Sequence, residues 1–416
     1  MKRALAVVLM LAMVLVFGLS GCGKKEAEPL RILLDVDGET RYSRTAQAFE
    51  ELLKEIEAQG GPAGVEVEYL PQSVVERKNA VTHLRAEIMA GAGPDLFMIS
   101  STEGRDGEFL FPFPEKSAIN GLFMPLDRYI ESAKFAMWDS FNETVMAVGR
   151  TERWQMLAPL SYTFPITCFP RLEASHSCSK ELTWDHMLED EGGILRASAA
   201  LEAGSDKNMI RALDSPDFSA ILGKTADYKA EELPLYFHTR AYPWFYGDGE
   251  TQGHVRPYIP KGDPPTVVPR YNKDGGVTAT VLHYACINAR SRRGQDAFFV
   301  LDYILSRDAA FKDVEDESSV IYGLSARQDF YSLFTGSDGL HIDGGISWES
   351  VYEGAISPEN RASIDAAGRC VTAVNVYGRL QFEIDRMLEE CRGLEGDIDE
   401  DIREVYRVID MELKES

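Results

Sequence analysis

The sequence predicts an α/β fold built on a parallel sheet, and three observations carry that expectation. Short apolar runs alternate with helical stripes between Arg31 and Ile99, each ending at a Gly- or Asp-bearing break. The order is strand, helix, strand, helix, strand, which a parallel sheet with right-handed crossovers satisfies. Apolar residues make up 44% of the chain and aromatics 10%, enough to bury an ordinary globular core.

Arg31 to Val36 reads as a short strand broken by Asp37-Gly38-Glu39. Ser43 is placed to cap a helix whose inward stripe is Ala46, Phe49, Leu52, Leu53 and Ile56, and Gly60-Gly61-Pro62 stops it. Val65, Val67 and Tyr69 alternate with glutamates, a strand with one wet face. A second helix turns Val81, Leu84 and Ile88 inward and ends at Gly91-Ala92-Gly93-Pro94. Asp95 to Ile99 is the third strand. Further on, Asp127 to Ile130 is a short helix and Trp154 to Thr167 is β-like. Thr278 to Ile287 is a strand, and Gln295 to Leu305 is a helix with Phe298, Leu301, Ile304 and Leu305 inward. Val376, Leu380, Ile384, Met387 and Leu388 mark another helix, and Ile398, Ile402, Val405 and Ile409 the last. The acidic stretch Asp397 to Asp401 lacks the glycine and closing glutamate of a calcium loop, and reads as a favourable helix N-terminus.

The N-terminus carries an address. Lys2 and Arg3 precede an uncharged apolar run, Ala4 to Gly18, too short to span a bilayer and of signal-core length. Leu19-Ser20-Gly21-Cys22 follows at once, the arrangement of a lipobox. Residues 1–21 are then a lipoprotein signal peptide, Cys22 the lipidated N-terminus and residues 22–29 a polar tether. An ordinary secretory signal with an incidental cysteine is the alternative. The expected location is extracytoplasmic, anchored to the cell membrane through Cys22.

Lys plus Arg number 43 against 67 Asp plus Glu, a net charge of −24. That balance disfavours nucleic acid and anionic lipid surfaces as partners. Beyond Cys22 there are Cys168, Cys178, Cys286, Cys370 and Cys391, with no CxxC. Cys168 and Cys178 are close enough in sequence to bridge, and burial as small apolar residues is the alternative. The seven histidines are scattered without metal spacing, and no HExxH, GxSxG or Gly-rich phosphate loop occurs. No metal or cofactor is expected.

A run of landmarks resembles one family. Ala90-Gly91-Ala92-Gly93-Pro94-Asp95-Leu96 is similar to its Ala-Gly-x-x-Pro-Asp-Val, and Met124-Pro125-Leu126-Asp127-Arg128-Tyr129 to its Leu-x-Pro-Leu-Asp-x-Tyr. Arg153-Trp154-Gln155-Met156-Leu157-Ala158-Pro159, Leu182-Thr183-Trp184-Asp185, Ala285 to Ser291 and Tyr322-Gly323-Leu324-Ser325 match further landmarks in order. The family is the extracellular solute-binding proteins of ABC importers, family 1, which includes maltose-binding protein. One departure is Cys168-Phe169-Pro170-Arg171, where the family shows Tyr-Tyr-Asn-Lys.

The resemblance implies a type II periplasmic-binding-protein-like fold. Two lobes, each a mixed, mostly parallel sheet flanked by helices, meet at a hinge whose closure buries a ligand. Crossings near Pro159, Pro269 and Gly323 divide the chain into an N-lobe, 30–158 plus 267–322, and a C-lobe, 159–266 plus 323–416. It further implies a monomeric binding protein without catalysis that hands a small polar solute, in the first instance a sugar, to importer membrane subunits. A secreted glycoside hydrolase, or a binding lipoprotein serving a membrane sensor, are the alternatives.

Ligands of open α/β sheets sit beyond the carboxyl ends of the strands. The candidates there are Asp37 and Glu39 after the first strand and Ser101 after the third. Flat rings cover sugar faces, which adds Tyr162, Trp244, Tyr246, Tyr271 and Trp348. Core packing is the alternative for each ring. Trp184 reads as structural and Trp154 as buried against the crossing strand.

Overall fold

A computed structural model of the chain describes residues 28–35, 39–71, 73–100, 108–169, 237–240, 245–246, 266–269, 272, 274–306, 324–328, 342–343, 362, 366–383 and 398–415. Between residues 165 and 268, only the backbone of the strands is described.

The opening follows the alternation of the sequence. Strand β1 (Leu30–Leu34) leads to helix α1 (Glu39–Ala58), strand β2 (Val65–Tyr69), helix α2 (Val74–Met89) and strand β3 (Leu96–Ser100). β1 lies between β2 and β3 and is parallel to both. Phe49, Leu52 and Ile56 of α1, and Val81, Leu84 and Ile88 of α2, are buried, as their spacing predicts. Helix α1 begins a turn before Ser43, so that serine lies inside the helix and does not cap it. Glu39 at the first position suits the positive end of the helix dipole.

Short helices follow: α3 (Pro114–Ile119), α4 (Asp127–Ile130) and α5 (Glu143–Met146). The Asn142 side chain caps α5, accepting from the backbone N–H groups of Thr144 and Val145. Strand β4 (Ala158–Thr163) is buried along its whole length and continues past Phe164 into β5 (Pro165–Phe169). β5 pairs with β6 (Phe237–Arg240) on one side and β8 (Thr266–Pro269) on the other, a second sheet. β7 (Phe245–Tyr246) pairs with β11 (Ile342–Asp343).

Strand β9 (Val277–Ile287) is the spine of the large sheet. Every residue of it is buried, and it runs antiparallel to both β3 and β4. Helix α6 (Gly294–Ser306) packs against α1, β1 and β9. β10 (Leu324–Ser325) joins the edge at β4, and β12 (Val371–Val376) pairs in parallel with the first half of β9. The sheet order is β10-β4-β9-β3-β1-β2, with β12 on β9. Helix α7 (Ile398–Glu415) ends the chain, with Ile409 buried.

The large sheet is joined to the second sheet at Phe164, and again between Pro269 and Val277. Pro159 lies inside β4, in register with Tyr284 of the large sheet, and Pro269 is the last residue of β8. At the second junction, Asn272 is buried and takes both flanking segments in hand. Its amide donates to Thr278 Oγ1 at 3.0 Å, while its oxygen accepts from Thr372 Oγ1 at 3.0 Å and from the Asp274 backbone at 3.0 Å. Gly276 follows, where an added Cβ would lie 2.4 Å from the Cys370 carbonyl oxygen.

Two further expectations are corrected. Val376 ends strand β12 and does not open a helix; a β-branched run paired with β9 outweighs the helical spacing that follows it. Trp154 is 49% exposed, because a tight turn bonds the Thr151 N–H to the Trp154 carbonyl and leaves the ring in solvent. Cys286 is a buried free thiol and Cys370 a half-buried one, and burial pushes the Cys286 thiol well up in pKa. The Cys168–Cys178 pairing lies outside the described residues.

Candidate ligand-binding site

The carboxyl ends of three strands converge. β9 pairs through Ser100↔His283 with β3 and through Val376↔Val281 with β12. Thr280 and Val281 already pair with β4 on the opposite edge, so β3 and β12 share one edge of β9. β3 runs antiparallel to β9 and β12 parallel to it. Their carboxyl ends therefore meet head-on beside Leu282. In open α/β sheets, ligands sit in the crevice outside the carboxyl ends of the strands.

A buried polar row lies beside that point. Ser100, His283, Ser161 and Ser325 are paired across β3, β9, β4 and β10 and so share one face. Ser161 Oγ and His283 Nδ1 are 2.9 Å apart, and Ser325 Oγ accepts from the Arg327 N–H at 3.1 Å. Ser161 and His283 are the residue types of a nucleophilic pair, yet both are shut inside the sheet, where no substrate carbonyl reaches them.

At the end of β1 the decisive group is Asp35. Its two carboxylate oxygens accept from Arg77 Nη1 at 2.9 Å and Nη2 at 2.8 Å, with side chains only 1% and 4% exposed. Arg77 Nε donates to the Glu108 carbonyl at 3.2 Å. One helical turn pair further along α2, Arg85 donates to the carbonyls of Leu110, at 3.1 Å, and Phe109. Two arginines of α2 thus hold the backbone where the chain returns from β3. That returning segment packs on the one leaving β12. The Phe109 ring lies 6.2 Å from Tyr377 and 6.1 Å from Phe382, and the Arg379 N–H donates to the Pro112 carbonyl at 3.0 Å.

Of the residues chosen from sequence, Tyr162 is fully placed. It is 1% exposed in β4, and its hydroxyl donates to the Gly368 carbonyl at 2.8 Å. Burial pushes its phenol above the usual tyrosine range, with Arg369 pulling the other way. It ties β4 to the segment before β12 and presents no ring face to solvent. Glu39 opens α1 and Tyr246 closes β7, paired with Asp343, on backbone evidence alone. Cys22, Asp37, Ser101, Trp244, Tyr271 and Trp348 lie outside the described residues, so the site list as a set is neither assembled nor dispersed here. Sequence reasoning missed Asp35 and Arg77. A signal existed: Arg77 sits on the inward stripe of α2 with Val81, Leu84 and Ile88, where a charge needs a buried partner.

Among the described residues, no group of His, Cys, Asp and Glu is placed to hold a metal ion, and no helix is long and apolar enough to cross a membrane.

No protein-family model matches the chain, and no curated protein matches it in sequence. Solved structures do match in fold. A periplasmic oligogalacturonide binding protein from Yersinia enterocolitica superposes with a TM-score of 0.54 at 13% identity, covering 93% of this chain and 99% of the other. An ABC substrate-binding protein from Listeria monocytogenes in complex with cycloalternan gives 0.53 at 13% identity, over 93% and 99%. A de novo designed esterase gives 0.52 at 13% identity, over 93% and 98%, so the fold alone does not decide between binding and catalysis. The strand order, the flanking helices and these matches agree that the chain shares the periplasmic-binding-protein-like α/β fold of those solved structures.

Proposed function

We propose that this chain is a substrate-binding lipoprotein that captures a small polar solute, a carbohydrate in the first instance, and delivers it to an ABC importer. The observation that carries the reading is the head-on meeting of β3 and β12 beside the polar end of β1, within a fold shared with two sugar-binding proteins. The residues that follow those strand ends in sequence, Asp37, Glu39 and Ser101, carry hydrogen-bonding groups. Closure of the lobes excludes water and strengthens each polar contact to the ligand.

In this reading the N-lobe is 30–158 plus 267–322 and the C-lobe 159–266 plus 323–416, with Cys22 lipidated and residues 22–29 as the tether. Asp37, Glu39 and Ser101 offer hydrogen bonds from the N-lobe. Trp244, Tyr246, Tyr271 and Trp348 offer rings to the sugar faces. Tyr162 serves from behind, by packing. The protein acts as a monomer without catalysis; the Ser161–His283 pair is too deeply buried for nucleophilic chemistry.

The test is a thermal-shift panel on the mature soluble chain with neutral oligosaccharides, uronates, amino acids and polyols. A true ligand raises Tm with concentration as RT ln(1 + [L]/Kd). A neutral sugar is expected to do so. A shift with an amino acid and with no sugar overturns the carbohydrate assignment.

A further inference from the structure

We propose that the end of the large sheet where the chain enters β1 is a lipid-docking face, which Arg290 and Arg292 seat on the anionic headgroups of the membrane that holds Cys22. The proposal rests on the anchored reading of Cys22 given above and adds which face meets the lipid.

The entry point is fixed. Arg293, just before α6, donates from Nη1 to the Glu28 carbonyl at 2.7 Å. From Cys22 to Glu28 the chain reaches at most about 22 Å even when fully extended. A lipid on Cys22 therefore lies close to the surface around Glu28. Charges along that reach cancel, Lys24 and Lys25 against Glu26 and Glu28, so the folded face decides the contact.

Three segments gather around the entry. The Arg31 N–H donates to Asp95 Oδ2 at 3.0 Å, and the Asp95 N–H to the Arg31 carbonyl at 2.8 Å, which sets the loop before β3 beside it. Asn288 Nδ2 donates to the carbonyls of Ala92 at 2.9 Å and Pro94 at 3.0 Å, and the Ala289 N–H to that of Leu122 at 3.0 Å. The turn after β9, the loop before β3 and the end of α3 thus share one end of the sheet. Met89, the last residue of α2, is 88% exposed there, and Ile119, the last of α3, 73%.

The turn after β9 is held rigidly. Asn288 Oδ1 accepts from the Arg290 N–H at 2.9 Å, and Ser291 Oγ donates to Asp95 Oδ1 at 2.6 Å while accepting from the Arg293 N–H at 2.9 Å. Nearby carboxylates are engaged: Asp95 by these bonds, Glu87 by Arg31 at 3.7 Å and Asp296 by Arg293 at 2.8 Å. Arg290 and Arg292 are exposed, and among the described residues no carboxylate pairs with either. Glu28 and Glu57 are exposed at the same end, so the attraction is local to the turn.

The net charge of −24 repels an anionic surface at a distance, but salt confines that repulsion to about 8–10 Å. The acyl anchor supplies the approach, and the groups at contact set the orientation. An arginine brought to an anionic surface contributes about a fivefold preference for contact, so the two give about twenty-five-fold. In the docked orientation the carboxyl ends of β1, β2 and β3 turn away from the lipid.

Hydroxyl-radical footprinting of the acylated, full mature chain in vesicles reads the face. Two lipids are compared: phosphatidylcholine alone, and phosphatidylcholine with about one third phosphatidylglycerol. Met89 and Ile119 are expected to oxidise about fivefold more slowly, or slower still, in the anionic vesicles. Val75, 70% exposed at the other end of α2 and about 20 Å away, is expected to keep one rate in both. High salt, and the paired variant Arg290→Glu with Arg292→Glu, should each return Met89 to its rate in neutral lipid. The salt arm needs no variant to fold.

Equal Met89 rates in both lipids on a vesicle-bound chain overturn the proposal and leave the anchor standing. So does matching protection of Val75, as crowding at the vesicle surface would give. A chain found free of the vesicles, without acyl mass on Cys22, contradicts the anchored reading itself, and the docking falls with it.

Discussion

Asp302 gives the sharpest stability prediction. It sits on α6, buried, and receives four donors from the segment after α4. The N–H groups of Lys134 and Phe135 lie 2.8 and 3.0 Å from Oδ2, and those of Ala136 and the Trp138 indole lie 3.1 and 2.9 Å from Oδ1. Asp302→Ala removes all four acceptor contacts at once. A hydrogen bond to a charged group contributes about 1.5–3 kcal/mol, and a buried orphaned donor costs about 1–3 kcal/mol. Water can relieve the three partly exposed donors and not Ala136, so the loss comes to about 3–5 kcal/mol. Asp302→Asn keeps one oxygen but turns an amide N–H₂ towards donors, and costs roughly half as much. Urea unfolding of the mature chain, followed by tryptophan fluorescence, reads the change; the Trp138 ring stacks on Phe141 and Phe298, so it reports this region directly. An Asp302→Ala chain within about 1 kcal/mol of wild type would refute the reasoning that these donors depend on this carboxylate.

Gly276→Ala drives a methyl against the fixed Cys370 carbonyl, and is expected to destabilise by about 1–3 kcal/mol in the same unfolding assay, with no loss of helical circular dichroism before the transition. Tyr162 has a folded pKa raised by burial, so its contribution is fully present below its unfolded value near pH 10 and is lost as pH rises towards the folded value. Stability above pH 10 should fall by up to about 1.4 kcal/mol per pH unit, and Tyr162→Phe should flatten that slope after losing about 1 kcal/mol for its bond to Gly368. Cys286 has the same sign from about pH 9 upwards. Its thiol should therefore ignore a disulfide reagent at pH 8 until urea exposes it. Cys22→Ser should move the protein from the membrane fraction to the soluble fraction, and the mature wild-type N-terminus should carry acyl mass on Cys22.

Much of the N-terminal architecture was legible because its burial is periodic. Phe49, Leu52 and Ile56, and then Val81, Leu84 and Ile88, face one way by spacing alone. The all-buried strand β9 was found as an apolar run. What spacing cannot give is pairing. That β12 lies end to end with β3 on one edge of β9 depends on pairings such as Ser100↔His283 and Val376↔Val281, between residues far apart in the chain, and no local pattern encodes them. Val376 was misread for that reason: its helical spacing to Leu380 is real, but sheet pairing decides its state. Trp154 failed differently, since a large ring suggests burial while the turn from Thr151 leaves it outside. At the site, Asp35 was passed over for its neighbour Asp37. A carboxylate that ends an apolar run looks like a loop residue until its partner on α2 is seen.

The proposed function requires a hinged pair of lobes that closes around a neutral polar molecule. Small-angle X-ray scattering of the mature chain, with and without a saturating oligosaccharide chosen by the thermal-shift panel, tests that most directly. Closure gives a smaller radius of gyration with the sugar than without it, saturating at the same concentration as the Tm shift. A sugar that binds while the radius stays constant, or a panel in which no sugar binds at all, would contradict it.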